Sequence, residues 1–252
     1  MNARLSVCIP ALYPDIPVAE GIRRAARFGA EAVEIWSWWD QDIPAIRKAL
    51  DETGCRMAAL CTPFISLVDR GALDAYLKGL SGTISVCKEL NCKRIISQVG
   101  NKLDNISGEE QHAQLVRGLR AASALLDETE ITLAVEPLNT KVDHPGYYLY
   151  SSDECADILR EVEHPRIRML FDIYHQQIME GDIITRLTRY QPLIAHIHMA
   201  AVPGRGRLND GELNYEHILR YLDGKGYRGY AAIELFCNEP DDEIRQWSAF
   251  MH

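Results

Sequence analysis

Short, mostly apolar runs recur along the chain at 4–9 (RLSVCI), 32–36 (AVEIW), 56–61 (RMAALC), 93–98 (KRIISQ), 131–136 (ITLAVE), 167–172 (IRMLFD), 194–199 (IAHIHM) and 230–235 (YAAIEL). Several are rich in β-branched residues, the pattern of parallel strands covered on both faces. Helical periodicity fills the intervals. Val18, Ile22, Ala25 and Ala26 share one face, with Pro17 suited to a first turn and Gly29 to a stop. Further helices are predicted over 41–53, 69–90, 108–128, 176–190, 214–224 and 240–252, and Ser151-Ser152-Asp153-Glu154 opens another with capping chemistry.

Eight β/α alternations without a break in composition predict an α/β fold with one closed (β/α)₈ TIM barrel over residues 1–252. The competing open, doubly wound sheet normally carries a glycine-rich turn after its first strand, and here PALYPD stands in that place. The length suits one barrel, and 47% hydrophobic with 25% charged residues is ordinary globular composition. A formal charge of -9 disfavours nucleic acid as a partner. Seven cysteines without CxxC pairs read as buried, reduced thiols. The start, MNARLSVCIPALYP, lacks a secretory apolar stretch, and no apolar run approaches membrane-spanning length. These features predict a cytoplasmic protein with a small-molecule partner, no membrane association, and homo-oligomers left open.

Barrel chemistry gathers at the C-terminal ends of the strands. Four consecutive strands in the second half end on metal-type residues: Glu136, Asp172, His198 and Glu234. Their spacings of 36, 26 and 36 residues are each near one β/α unit, so the four side chains can converge. Three carboxylates and an imidazole suit a divalent ion such as Mg²⁺, Mn²⁺ or Co²⁺, with Zn²⁺ a further candidate. A lone strand-end carboxylate more often caps a helix or forms an ion pair, and a lone strand histidine is usually a satisfied core residue; the fourfold recurrence favours a metal site. His196 keeps the structural reading. His175, three residues after Asp172, can donate to a substrate oxygen or cap local backbone. Arg205 and Arg207, in VPGRGR, can bind a carboxylate or hydroxyl, or lie in a solvated turn. Trp36, Trp38 and Trp39 can wall a pocket or pack the rim.

The stretches VEPLNTKVDHPGYYL, FDIYHQQIMEGD and AHIHMAAVPGRGRLNDGELNY closely resemble the hydroxypyruvate isomerase family, one of the xylose-isomerase-like barrels together with ketose 3-epimerases and endonuclease IV. The resemblance covers most of the chain and is densest from Ala134 to Tyr215. It implies that Glu136 and Glu234 are paired catalytic glutamates that also bind the metal. It further implies that Asp172 and His198 complete the ligand set and that His175 and Arg205 bind substrate. Two departures stand out. Typical isomerases of the family carry Gln at the place of His198, where ketose 3-epimerases carry His; and the lysine of their EYKP is absent, ELFCNEP following Ile233 here.

The implied activity is isomerisation of a small hydroxy-carbonyl acid, of the hydroxypyruvate to tartronate semialdehyde type. The proton beside the carbonyl moves between two glutamates through an enediolate. A ketose 3-epimerase or a 2-oxo-tetronate isomerase is the alternative. A DNA-repair endonuclease on the same fold needs histidines from early strands, and the first histidine here is His112. A catalytically dead binding barrel is disfavoured by retention of all four ligand positions.

Overall fold

A computed structural model describes residues 1–252. Eight parallel strands pair in chain order and close into a barrel: β1 (Arg4–Cys8), β2 (Ala32–Ile35), β3 (Arg56–Cys61), β4 (Arg94–Ser97), β5 (Thr132–Val135), β6 (Ile167–Asp172), β7 (Ile194–Met199) and β8 (Tyr230–Ile233). Closure is made by β1 on β8, where Ser6 faces Ala232 and Val7 faces Ile233. Closing the sheet leaves no unpaired edge. The predicted closed barrel is therefore the fold, and no helix is long and apolar enough to cross a membrane.

Alternation along the strands divides the core into one large cluster and two small ones. Leu5, Val7, Val33, Ile35, Leu133, Val135, Met169, Phe171, Ile197 and Ile233 join one large cluster with helix residues such as Ile22, Ile46, Leu80 and Leu119. Each such fully buried Leu or Ile contributes about 1.5–3 kcal/mol relative to exposure. One small cluster is Ala59, Cys61, Ile96, Ala134 and Leu170. Among the same strands, Glu34, His196 and His198 are buried polar residues.

The helices outside follow local rules. In α2 (Val18–Arg27) the buried face is Val18, Gly21, Ile22 and Ala25. Gly21 is required there: a Cβ would stand 2.6 Å from Ile9 Cγ2. Caps begin α3 (Ile43–Thr53), where Asp42 accepts from Ala45 N–H, and α5 (Gly108–Leu126), where Ser107 accepts from Glu110 N–H. Ser151 caps α6 (Ser152–Val162), as the sequence predicts. Between α3 and α5 lies α4 (Leu73–Glu89), entered by a 3₁₀ turn at Arg70–Ala72.

Three local expectations change. The PALYPD turn contains a short helix, α1 (Ile9–Leu12), because Pro10 occupies a first-turn position where its missing N–H costs nothing. The single helix expected over 176–190 is two, α7 (Ile173–Met179) and α8 (Ile183–Tyr190). Gly181 at φ +66° and Asp182 at φ +49° turn left-handed between them, a conformation that helix propagation cannot cross. Helix α7 also starts earlier than expected, so His175 lies inside it. The last helices, α9 (Tyr215–Gly224) and α10 (Pro240–Met251), complete the ring.

Candidate active site

At the C-terminal mouth of the barrel a cavity of about 600 Å³ opens. Glu136, His175, His198, Arg205 and Glu234 all line it. Glu136 and Glu234 sit one residue beyond their strands, yet their N–H groups still bond to the neighbouring strand, to Ser97 O at 3.1 Å and to Met199 O at 3.1 Å. Backbone pairing therefore holds both carboxylates at the rim. Asp172 ends β6, and Asp172 is paired with His198 across the β6–β7 register.

Ligand atoms of Glu136, Asp172, His198 and Glu234 all lie within 4.8 Å of one another, and all four residues are buried. His198 Nδ1 is the centre of the group. It stands 3.6 Å from Glu136 Oε1, 3.9 Å from Asp172 Oδ2 and 3.3 Å from Glu234 Oε2. This nitrogen is buried without a hydrogen-bond partner. Asp172 combines both roles weighed for it: Oδ1 caps α7 by accepting from Tyr174 and His175 N–H, which leaves Oδ2 for the site. Three carboxylates and an unpartnered imidazole nitrogen are a donor set that fits one divalent cation, since buried charges of one sign need a counter-charge.

Electrostatics divide the two glutamates. Burial alone would raise Glu234, but His198, Arg205 and the Trp36 N–H outweigh it and hold the carboxyl well below the usual range. Trp36 Nε1 donates to Glu234 Oε1 at 2.6 Å, and Arg205 Nη2 donates to Oε2. Glu136 has no arginine bonded to it and accepts a hydrogen bond only from Gln98 Nε2, at 3.1 Å. Burial raises it to about 8, with Glu234 and Asp172 adding to the rise and His198 opposing it. For His198 itself, burial pulls the pKa down, and Glu234 and Glu34 pull it well above the ordinary value.

Of the two roles weighed for His175, the structure shows a bond to backbone, at Asn139 rather than within its own helix. His175 Nδ1 accepts from the Asn139 backbone N–H at 3.2 Å, so the ring proton belongs on Nε2. Burial lowers its pKa to about 4, which keeps the ring neutral. Nε2 is buried, has no partner, and lies 3.4 Å from Asp172 Oδ2.

The two arginines part company. Arg205 has φ +52°, the left-handed region, and its guanidinium sits against Tyr174 and Phe236, with Cζ 5.3 and 5.7 Å from the ring centroids. Arg207 turns away to Glu239 and Glu243, at 3.0 and 2.9 Å, and anchors the loop to α10. Of the tryptophans, only Trp36 lines the cavity; Trp38 Nε1 is bonded to Thr83 Oγ1 at 3.0 Å, and Trp39 packs edge-on against Trp38 and Phe64.

Sequence reasoning missed several contributors. Gln98, His144, Phe64 and Phe236 line the cavity from loops and strand ends whose local sequence carries no ligand pattern. Glu34 also went unnoticed, and His196 is explained only by it: His196 Nε2 and His198 Nε2 both bond to the Glu34 carboxylate, at 2.8 and 3.0 Å. A signal was present, since a glutamate inside an apolar strand such as AVEIW must find a partner.

Residues 22–251 match the xylose isomerase-like TIM barrel family. A Danio rerio protein provisionally named hydroxypyruvate isomerase is 32% identical over 251 residues, covering 92% of this chain and 90% of its own. The hydroxypyruvate isomerase of Escherichia coli is 26% identical, covering 92% of each chain. The 2-oxo-tetronate isomerase of Cupriavidus necator is 29% identical, again covering 92% of each. Among solved structures, an AP endonuclease of family 2 from Brucella melitensis superposes with a TM-score of 0.93 at 23% identity, covering 98% of both chains. A D-allulose 3-epimerase from Methylomonas sp. superposes with a TM-score of 0.83 at 19% identity, covering 99% of this chain and 96% of that one. At these identities the structures speak for the fold.

Proposed function

The chain belongs to the xylose isomerase-like TIM barrel family, and from that premise we propose that it is a divalent-metal-dependent isomerase of a small hydroxy-carbonyl acid, of the hydroxypyruvate to tartronate semialdehyde type. The observation that carries this reading is the convergence of Glu136 and Glu234 with Asp172 and His198 at the mouth of the barrel. Relatives named for hydroxypyruvate and 2-oxo-tetronate support the acid as substrate.

Glu136, Asp172, His198 and Glu234 would hold the cation, of which Mg²⁺, Mn²⁺, Co²⁺ and Zn²⁺ suit the donors. When bound, it supplies positive charge beside the substrate oxygens, where the enediolate's negative charge develops. The protein's own groups do the rest. One glutamate takes the proton next to the carbonyl, and the other manages the hydroxyl proton or returns a proton to carbon. His175, neutral with its proton on Nε2, donates to a substrate oxygen. Arg205, stacked against Tyr174 and Phe236, presents charge to a substrate carboxylate.

A second reading is a ketose 3-epimerase. In that reaction the proton leaves one face of a carbon and returns to the other, which two separate carboxylates also permit. The cavity favours it in one respect. About 600 Å³ with Trp36, Phe64 and Phe236 along its wall is far more room than a three-carbon acid fills, and flat aromatic faces suit the C–H surfaces of a sugar. Incubation with Mn²⁺ or Mg²⁺ and a panel of hydroxypyruvate, 2-oxo-tetronates and free ketoses, with products read by NMR, tests both. Turnover of the acids is expected; turnover confined to free ketoses replaces the first reading with the second.

A further inference from the structure

Glu34 is a buried carboxylate that the proposed reaction does not use. It lies on β2, 2% exposed, among the side chains inside the barrel. Both of its oxygens are taken. Oε1 is 2.8 Å from His196 Nε2, and Oε2 is 3.0 Å from His198 Nε2. Both histidines belong to β7, which β8 and β1 separate from β2 in the barrel order. The contact therefore spans the interior rather than following a strand pair.

A carboxylate only accepts, so each ring must present an N–H to it. For His198 this places the proton on Nε2. The other nitrogen, Nδ1, is then the one that the neutral ring leaves bare for a cation, and it is the buried, unpartnered atom that stands between Glu136, Asp172 and Glu234. The His196 bond holds the second oxygen and keeps the Glu34 carboxylate from rotating away. Burying a carboxylate this deep is costly unless it is fully bonded, and an apolar residue would fill the same space without that cost.

We propose that Glu34 is a positioning residue: by accepting the Nε2–H of His198 it fixes the tautomer and ring orientation that point Nδ1 at the cation, while His196 locks Glu34 in place. This inference rests on the metal-dependent reading given above. It also gives the HIH pair of β7 one shared purpose, with His198 facing the cation and His196 beneath it serving the carboxylate.

Two substitutions separate positioning from plain support. Glu34→Gln keeps size and shape, but an amide offers one acceptor oxygen and one donor nitrogen, so it cannot accept from both rings, and the network must reorganise. Glu34→Asp keeps the charge and withdraws it by one methylene. The metal-free protein and both variants are titrated with Mn²⁺ by calorimetry, well below their unfolding temperatures. Zn²⁺-loaded, ¹⁵N-histidine-labelled samples are read by two-bond ¹H–¹⁵N NMR for the site of the ring proton. The wild type is expected to bind one Mn²⁺ and to show the His198 proton on Nε2. Both variants should bind about 10–100-fold more weakly, the range for loss of a carboxylate behind a ligating histidine.

Unchanged Mn²⁺ affinity in both variants would overturn the positioning role and leave the metal reading standing, even if their thermal stability fell. A wild type that binds no Mn²⁺ would overturn the metal reading and this inference with it. A second equivalent of metal lost on Glu34 substitution would make Glu34 a ligand instead. The proton on Nδ1 of wild-type His198 would reject the proposal without any variant, so a variant that fails to fold does not protect it.

Discussion

Glu136 and Glu234 differ in what surrounds them, and their substitutions should differ accordingly. Glu136→Gln removes a group that burial holds at about 8. The amide cannot accept a proton, so turnover should fall by about 10²–10⁴-fold while the fold persists. The metal-free variant should be no less stable than the wild type at pH 8, because the amide avoids an ion the site disfavours. Glu234→Gln should cost turnover similarly but also stability, since Arg205 loses its carboxylate. Turnover assays with metal content measured alongside, and thermal unfolding without metal, check both; wild-type turnover in either variant rejects its catalytic assignment. Arg205 carries a sharper test of substrate. Arg205→Lys loses the planar fork and the stacking on Tyr174 and Phe236. KM for a 2-oxo acid should rise on the order of 10–100-fold, the loss of a charge-assisted pair. KM for a neutral ketose should change far less. Equal effects on both substrates would remove Arg205 from carboxylate recognition. At this scale the four convergent residues were legible because each lies at or beside the C-terminal end of its own strand, about one β/α unit from the next. Glu34 was not, because its partners lie 162 and 164 residues away and only barrel closure brings them together.

Elements carry the site only as well as they are tied down. The loop after β7 that holds Arg205 is pinned by Glu243 on α10, itself 1% exposed. Its carboxylate accepts from Arg207 Nε, Leu208 N–H and Trp247 Nε1, each at 2.9 Å. Glu243→Ala strands these donors and should cost about 2–4 kcal/mol of stability. Because the same loop places Arg205, KM should rise more than kcat falls. Denaturant unfolding and steady-state kinetics on the variant check this, and a stability loss with unchanged KM would show that the loop keeps its place without the anchor. Strand positions were legible to within a residue or two, since an apolar run of parallel-strand length has few other uses. Helix ends were less so. The break at Gly181 and Asp182 is a backbone event hidden inside a periodic apolar pattern, as was the short helix at Ile9–Leu12 behind Pro10. By residue type alone Arg207 was equivalent to Arg205 in VPGRGR; the family resemblance singled out Arg205, and the docking of α10 accounts for Arg207.

For the whole molecule, the proposed metal site would link folding to protons and to the cation. In the metal-free protein Glu136 titrates at about 8 against an ordinary value of 4.5. Between those values the folded protein keeps a proton that the unfolded chain has released. A group raised in this way supports the fold fully below its unfolded value, and that support is lost as pH climbs through the folded value. The metal-free protein should therefore lose stability from about pH 5 to about pH 8 through this group. Bound cation reverses the preference, because its ligands must be deprotonated: Glu136 ionised and His198 Nδ1 bare. His198, raised well above its ordinary value by Glu234 and Glu34, adds a second proton to be displaced. Metal binding should thus release protons near neutrality and tighten as pH rises. Stabilisation by a ligand grows with its concentration relative to Kd, so the gap in Tm between Mn²⁺-loaded and chelator-treated protein should widen from about pH 6 to about pH 8. Thermal scans at fixed Mn²⁺ across that range measure the gap, and calorimetry in buffers of different ionisation enthalpy counts the protons. A gap that stays flat or narrows, with no proton released, would mean that Glu136 and His198 are already deprotonated in the metal-free site, and the division of charge between the two glutamates would have to be reassigned.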